Sequence, residues 1–124
     1  MKINFDFKTT NIEMTEAIRE YLYKRLEKLE KFTGDDAGSY GQVEIGTTTS
    51  GQHSGEIFRA EINLTVDGQN FRTESKKKDL YSAIDEAQDE MIRALKSYRG
   101  KRRTLFRKGG YQIKKLLKFR GKKL

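Results

Sequence analysis

Apolar residues recur along this chain with two different periods, and the order of those periods predicts the fold. Ile3, Phe5 and Phe7 alternate with Lys2, Asn4, Asp6 and Lys8, the two-residue repeat of a strand with one buried face. The repeat then lengthens: Ile18, Leu22, Leu26, Leu29 and Phe32 share one side of a helix. Thr15 stands at its N-cap, Glu16 suits the positive end of the helix dipole, and Gly34 is the expected stop. Val43 and Ile45 mark a second strand, and residues 49–55, polar and glycine-rich, read as a mobile loop. Phe58, Ala60, Ile62, Leu64 and Val66 alternate with polar residues in the clearest strand of the chain. Asp67-Gly68 is a two-residue hairpin signal, and residues 69–75 return as a strand with Phe71 and Thr73 on one face. Asp79 is placed to cap a second helix whose buried stripe is Leu80, Ile84, Ala87, Met91, Leu95 and Tyr98.

The order strand, helix, three strands, helix describes an α+β fold. A four-stranded sheet offers a single apolar face, and two amphipathic helices must cover it, giving a two-layer β-α-β-β-β-α sandwich. A length of 124 residues suits one such core. The absence of cysteine removes disulfides, thiolate nucleophiles and cysteine-held zinc. No apolar run approaches the roughly 20 residues of a membrane span and no secretory leader is evident, so a cytoplasmic protein is expected.

Charge divides the chain. Residues 1–98 carry 14 Lys and Arg against 18 Asp and Glu, a net of −4, whereas residues 99–124 carry 12 Lys and Arg and no acid. The total of +8 therefore rests on the C-terminal stretch, and the domain boundary is expected after Tyr98, with residues 99–124 a basic tail that orders on binding RNA. Within it, Arg99, Lys101, Arg102, Arg103, Arg107 and Lys108 surround a single aromatic, Phe106, suited to stacking on an unpaired base. Beyond Gly109-Gly110, Ile113, Leu116 and Leu117 oppose Lys114, Lys115 and Lys118 in the pattern of a short basic amphipathic helix. The same pattern describes a peptide lying on an anionic membrane, an alternative from a different class.

The segment from Ile12 to Tyr21 (Ile-Glu-Met-Thr-Glu-Ala-Ile-Arg-Glu-Tyr) and that from Asp79 to Asp85 (Asp-Leu-Tyr-Ser-Ala-Ile-Asp), in this order of elements, resemble the ribosome hibernation-promoting factor and ribosome-associated inhibitor A family. The Lys-Leu-Glu-Lys rhythm between Lys24 and Phe32 and the Asp67-Gly68 turn belong to the same resemblance, which covers roughly the first hundred residues. It implies a fold like the double-stranded RNA-binding domain. It also implies a site on small-subunit rRNA in the channel used by mRNA and transfer RNA, hence inhibition of translation without chemistry. The implied partner is the small ribosomal subunit, bound by a protein that is a monomer off the ribosome. Long members of the family add a C-terminal domain that dimerises ribosomes; here the basic stretch stands in that place.

Lys24, Lys28 and Lys31 fall on one helical stripe beside a second stripe of Glu16, Glu20 and Glu27. Composition by itself favours solvated i,i+4 pairs such as Glu20 with Lys24. The resemblance instead implies that basic residues of both helices meet rRNA, and its matching positions here include Lys24, Arg25, Lys28, Arg93 and Lys96. Lys76-Lys77-Lys78 precede the second helix, where cations oppose its dipole, so a phosphate contact competes with a solvated loop. His53 has no partner at ligand or catalytic spacing, and no metal, phosphate-loop or acid–base signature appears. The expectation is a binding protein with no cofactor, metal, membrane or small-molecule substrate. A general binder of structured or double-stranded RNA is the nearest alternative.

Overall fold

A computed structural model describes residues 3–34, 38–48 and 57–107, with side chains to residue 101. The elements are β1 (Asn4–Thr10), α1 (Glu16–Glu30), β2 (Tyr40–Thr48), β3 (Ile57–Val66), β4 (Gln69–Lys77) and α2 (Leu80–Arg107). The strands lie in the order β1-β2-β3-β4, with β1 parallel to β2 and the other two pairs antiparallel. This is the two-layer sandwich expected.

Local chemistry sets the element ends. The Thr15 side chain accepts a hydrogen bond from the Ile18 amide at 3.2 Å, and Asp79 Oδ2 accepts from the Ser82 amide at 3.0 Å, so both caps are made. Asp67 and Gly68 both take positive φ, +54° and +74°, as a tight turn matching the twist of β3 and β4 requires. The first helix ends before Gly34. It stops at Glu30 with Lys31 as C-cap, and Gly34, at φ +75°, instead completes the turn that follows.

One face of the sheet holds Phe5, Val43, Ile45, Ala60, Ile62 and Leu64 against Leu22, Leu26 and Leu29 of α1 and Ala83, Ile84, Ala87, Met91 and Leu95 of α2. Phe71 and Tyr98 close one side of this core edge to face, with ring centres 5.4 Å apart. Two findings qualify the sequence reading. β4 runs to Lys77 and so takes Lys76 and Lys77 out of the expected loop. α2 continues through the charge boundary at Tyr98 to Arg107. Once nucleated on the core, a helix extends at one hydrogen bond per residue, and Lys and Arg are good helix formers, so a change of charge does not end it.

Topology orders the helices. α1 runs back against β1 and β2, β4 is parallel to β2, and α2 runs back against β4, so α1 and α2 point the same way. The contacts agree. Tyr21 meets Asp85 at a sequence separation of 64 and Arg25 meets Gln88 at 63, while Lys96 reaches Phe32 farther along both helices.

Candidate nucleic-acid interface

Tyr21 and Arg25 mark the flank of α1 that faces α2, because both reach Asp85. Tyr23 marks the opposite flank, where its ring meets Phe7 of β1 at 5.6 Å. Lys24 and Lys28 follow Tyr21 by three and seven positions and therefore lie toward α2. Glu16, Glu20 and Glu27 stand seven and three before and four after Tyr23 and lie toward β1. The parallel helices thus give the lysine stripe a neighbour in Lys96 of α2, which reaches Phe32 just past the end of α1; Arg93, one turn before it, is exposed on the outer surface of α2, where Glu86 feels its charge. Lys31 completes the α1 stripe, and Lys24, Arg25, Lys28 and Lys31 line one groove with Tyr21, Glu27 and Glu30.

These cations differ in how they are engaged. Lys24, Lys28, Lys31 and Arg93 are exposed, and none enters an ion pair among the described residues. The i,i+4 pair of Glu20 with Lys24 that composition by itself favours is not among the ion pairs of the described residues. Lys96 holds its ammonium 5.3 Å from the Phe32 ring centre, a cation–π contact that leaves its charge outward. Arg99 and Lys101 are exposed farther along α2, with Arg99 folded over Gly34. Arg25 is different: its Nε lies 2.9 Å from Asp85 Oδ1 and its Nη2 donates to the Tyr21 hydroxyl at 3.0 Å.

The lysine triplet before α2 is divided by the strand. Lys76 pairs in register with Arg59 on the uncovered face of the sheet, whereas Lys77 turns to α2 and meets Glu86 at 2.6 Å. That contact, led by its hydrogen bond, lowers the Glu86 carboxyl below the usual range. Lys78 alone stands between the elements, exposed. Arg102, Arg103 and Arg107 continue the α2 backbone, and Lys108, Lys114, Lys115, Lys118 and His53 lie outside the described residues.

The uncovered face carries charges that sequence reading did not single out. Arg59 reaches Glu44 at 3.8 Å, Glu61 at 3.2 Å and Glu74, and Arg72 reaches Glu61 and Glu74. Hydrogen bonding to Arg59 holds the Glu74 carboxyl below the usual range and raises the Arg59 guanidinium still further. Strand alternation puts all five on one face, but only the register, Glu44 opposite Glu61 and Glu61 opposite Glu74, makes them neighbours.

Three comparisons extend this geometry. Residues 5–103 match the family described as Sigma 54 modulation protein / S30EA ribosomal protein. Over 89 residues the chain is 33% identical to the ribosome hibernation promotion factor of Deinococcus radiodurans, covering 72% of this chain and 45% of that protein. Over 97 residues it is 26% identical to the protein of that name from Staphylococcus aureus, covering 78% and 48%. The chain therefore spans about half the length of the relatives it matches. Among solved structures, the N-terminal domain of Thermus thermophilus Protein Y superposes with a TM-score of 0.65 at 30% identity, covering 79% of this chain and 99% of that one. A ribosomal subunit interface protein from Coxiella burnetii superposes with a TM-score of 0.64 at 13% identity, a likeness of fold alone that covers 79% and 99%.

Proposed function

Because the chain belongs to the Sigma 54 modulation protein / S30EA ribosomal protein family, we propose that it is a ribosome hibernation factor. In this reading its folded body binds rRNA of the small subunit in the channel used by mRNA and transfer RNA, and inhibits translation by occupying it. The names of its relatives support the ribosome as partner. The observation that carries the reading is the set of uncommitted cations, Lys24, Lys28, Lys31, Arg93 and Lys96, on adjoining flanks of two parallel helices.

Physical scale explains how a body whose first 98 residues carry a net −4, and which is close to neutral when α2 is counted to Arg107, binds a polyanion. At physiological salt, charges are screened beyond about 8 Å, so a phosphate backbone senses the nearby stripe rather than the sum. Each phosphate neutralised releases condensed counterions, which supplies affinity without base contacts. Lys78, Arg99 and Lys101 border this surface, and Arg102, Arg103, Arg107, Lys108, Lys114, Lys115 and Lys118 extend the contact along rRNA beyond it.

Combining Lys24→Gln, Lys28→Gln and Arg93→Gln tests the reading. Affinity for purified small subunits is expected to fall at least tenfold, about 1.4 kcal/mol, with unchanged circular dichroism and a shallower salt dependence. Unchanged affinity overturns the site. Displacement of the protein from subunits by free RNA duplex overturns ribosome specificity in favour of general duplex recognition by shape.

A further inference from the structure

Arg25 stands among the cations that the family resemblance points toward RNA, yet its surroundings assign it elsewhere. Its guanidinium, the Tyr21 hydroxyl and the Asp85 carboxylate close a ring: Arg25 binds both partners, and Tyr21 donates to the same Asp85 oxygen that Arg25 Nε meets. The guanidinium carbon also sits 5.1 Å from the Tyr21 ring centre, and that ring meets Tyr81 of α2 edge to face at 4.7 Å. Behind it, the buried Gln88 of α2 donates to the Arg25 carbonyl at 2.7 Å. Every one of these contacts except Arg25 to Tyr21 crosses from one helix to the other.

Two carboxylates, Asp85 in contact and Asp89 nearby, act on this guanidinium. A phosphate reaching for Arg25 meets their negative charge, whereas Lys24 and Lys28 on the same flank have no such escort. Burial, then the hydrogen bond to Asp85, raises the Tyr21 pKa, and the hydroxyl, protonated at neutral pH as in any tyrosine, donates to Asp85. The helices also need a fastening at this level. Lys96 reaches Phe32 just past the end of α1, beside Lys28 and Lys31, and like charges on parallel helices push apart.

We propose that Arg25 is a positioning residue: with Tyr21 and Asp85 it fastens α1 to α2, holding the Lys24/Lys28/Lys31 and Arg93/Lys96 stripes at one spacing for a phosphate backbone, and is not itself a phosphate ligand. This rests on the function proposed above and sharpens it. A phosphate ligand contributes to the salt dependence of binding, by a little under one in the slope of log affinity against log salt for duplex-like RNA. A positioning residue contributes to affinity at constant slope. Lysine keeps the charge but lacks the planar fork that binds Tyr21 and Asp85 together.

The experiment measures binding of fluorescently labelled full-length variants to purified small ribosomal subunits across a potassium chloride series, with circular dichroism and melting recorded for each. Arg25→Lys and Arg25→Gln are both expected to bind five- to tenfold more weakly than the unaltered protein, with its slope. Lys28→Gln, the reference contact, lowers the slope. Asp85→Asn weakens binding despite removing a negative charge, and combining it with Arg25→Gln adds little, because either change opens the same ring. Asp89→Asn, with the same charge change outside the ring, does not weaken binding. Wild-type affinity in Arg25→Lys together with a lowered slope in Arg25→Gln, or tighter binding by Asp85→Asn, overturns the proposal in favour of a direct phosphate contact. Lower melting temperatures with unaltered affinity overturn it in favour of a purely structural pair. Subunits that fail to bind even the unaltered protein overturn the proposed function, and this role with it.

Discussion

On the uncovered face of the sheet, Arg59 and Arg72 are enclosed by Glu44, Glu61 and Glu74; on the outer surface of the helices, Lys24, Lys28, Lys31 and Arg93 touch no carboxylate among the described residues. Both surfaces are rich in charge, but the two arginines of the sheet face are paired, whereas these four cations of the helices are not. Strand register sets Glu44, Glu61 and Glu74 directly opposite one another and Arg59 and Arg72 diagonal to them, within reach of long side chains, and short, branched networks form. On α1 the acidic and basic stripes adjoin, and although Glu27 and Glu30 line the same groove as Lys24, Lys28 and Lys31, none of these lysines enters an ion pair among the described residues. A polyanion gains counterion release only from cations that have no partner to surrender first. Charge density alone therefore does not locate an interface here; the state of pairing does.

Arg59→Ala breaks the comparison from the sheet side and has the largest expected effect. It strips Glu44, Glu61 and Glu74 of a shared cation, and Glu61 is only 8% exposed. A loss of about 2 kcal/mol of stability is expected, below the value for fully buried pairs because solvent still reaches this face. Thermal or denaturant unfolding measures it, and affinity for small subunits at a temperature where the variant is folded should not change. A matching loss of affinity would show that the sheet face also binds.

Removal of residues 108–124 sharpens the helical side. The cut falls after α2, which ends at Arg107, so folding should be retained while affinity falls about tenfold, roughly 1.4 kcal/mol, as basic residues beyond the helix are lost. Full affinity in a binding titration would confine the interface to the folded body.

The smallest effect is titration of the sheet network. The lowered Glu74 carboxyl contributes stability that is present above the ordinary glutamate pKa of about 4.3 and lost as pH falls below it through the lowered value. Glu74→Gln should therefore flatten stability against pH on the acid side by a few tenths of a kcal/mol, measured as melting temperature between about pH 5 and pH 3. An equal acid-side slope in both proteins would place the sensitivity in other carboxylates.

Much of the fold is legible in the sequence because its signals are local. The period-two runs ending at Val66, the Asp67-Gly68 turn and the Thr15 and Asp79 caps each act over a few residues, and each appears where it is expected. The stripe of Lys24, Lys28 and Lys31 is legible for the same reason. The continuation of α2 past Tyr98 was hidden because the charge changes there and Gly100 is a poor helix former, yet neither ends a helix already nucleated on the core. Lys76 and Lys77 looked like loop residues because the strand carrying them is held by its pairing with Phe58 and Arg59, not by its own apolar pattern.

The sequence by itself determined the order and type of the strands and helices, which faces are apolar and that the first helix carries a basic stripe, since backbone geometry and side-chain type suffice for each. Only the tertiary structure decided that the two helices run parallel, that Lys96 comes to the end of α1 beside the lysine stripe, that Arg25 is held by an aspartate on the other helix, and that Arg59 is shared among carboxylates from three strands. These depend on topology and register, which set the distance between groups far apart in the chain. A hydrogen bond is lost beyond about 3.5 Å and an exposed charge is screened over about 8 Å, so whether a cation is paired or available is a property of the folded molecule.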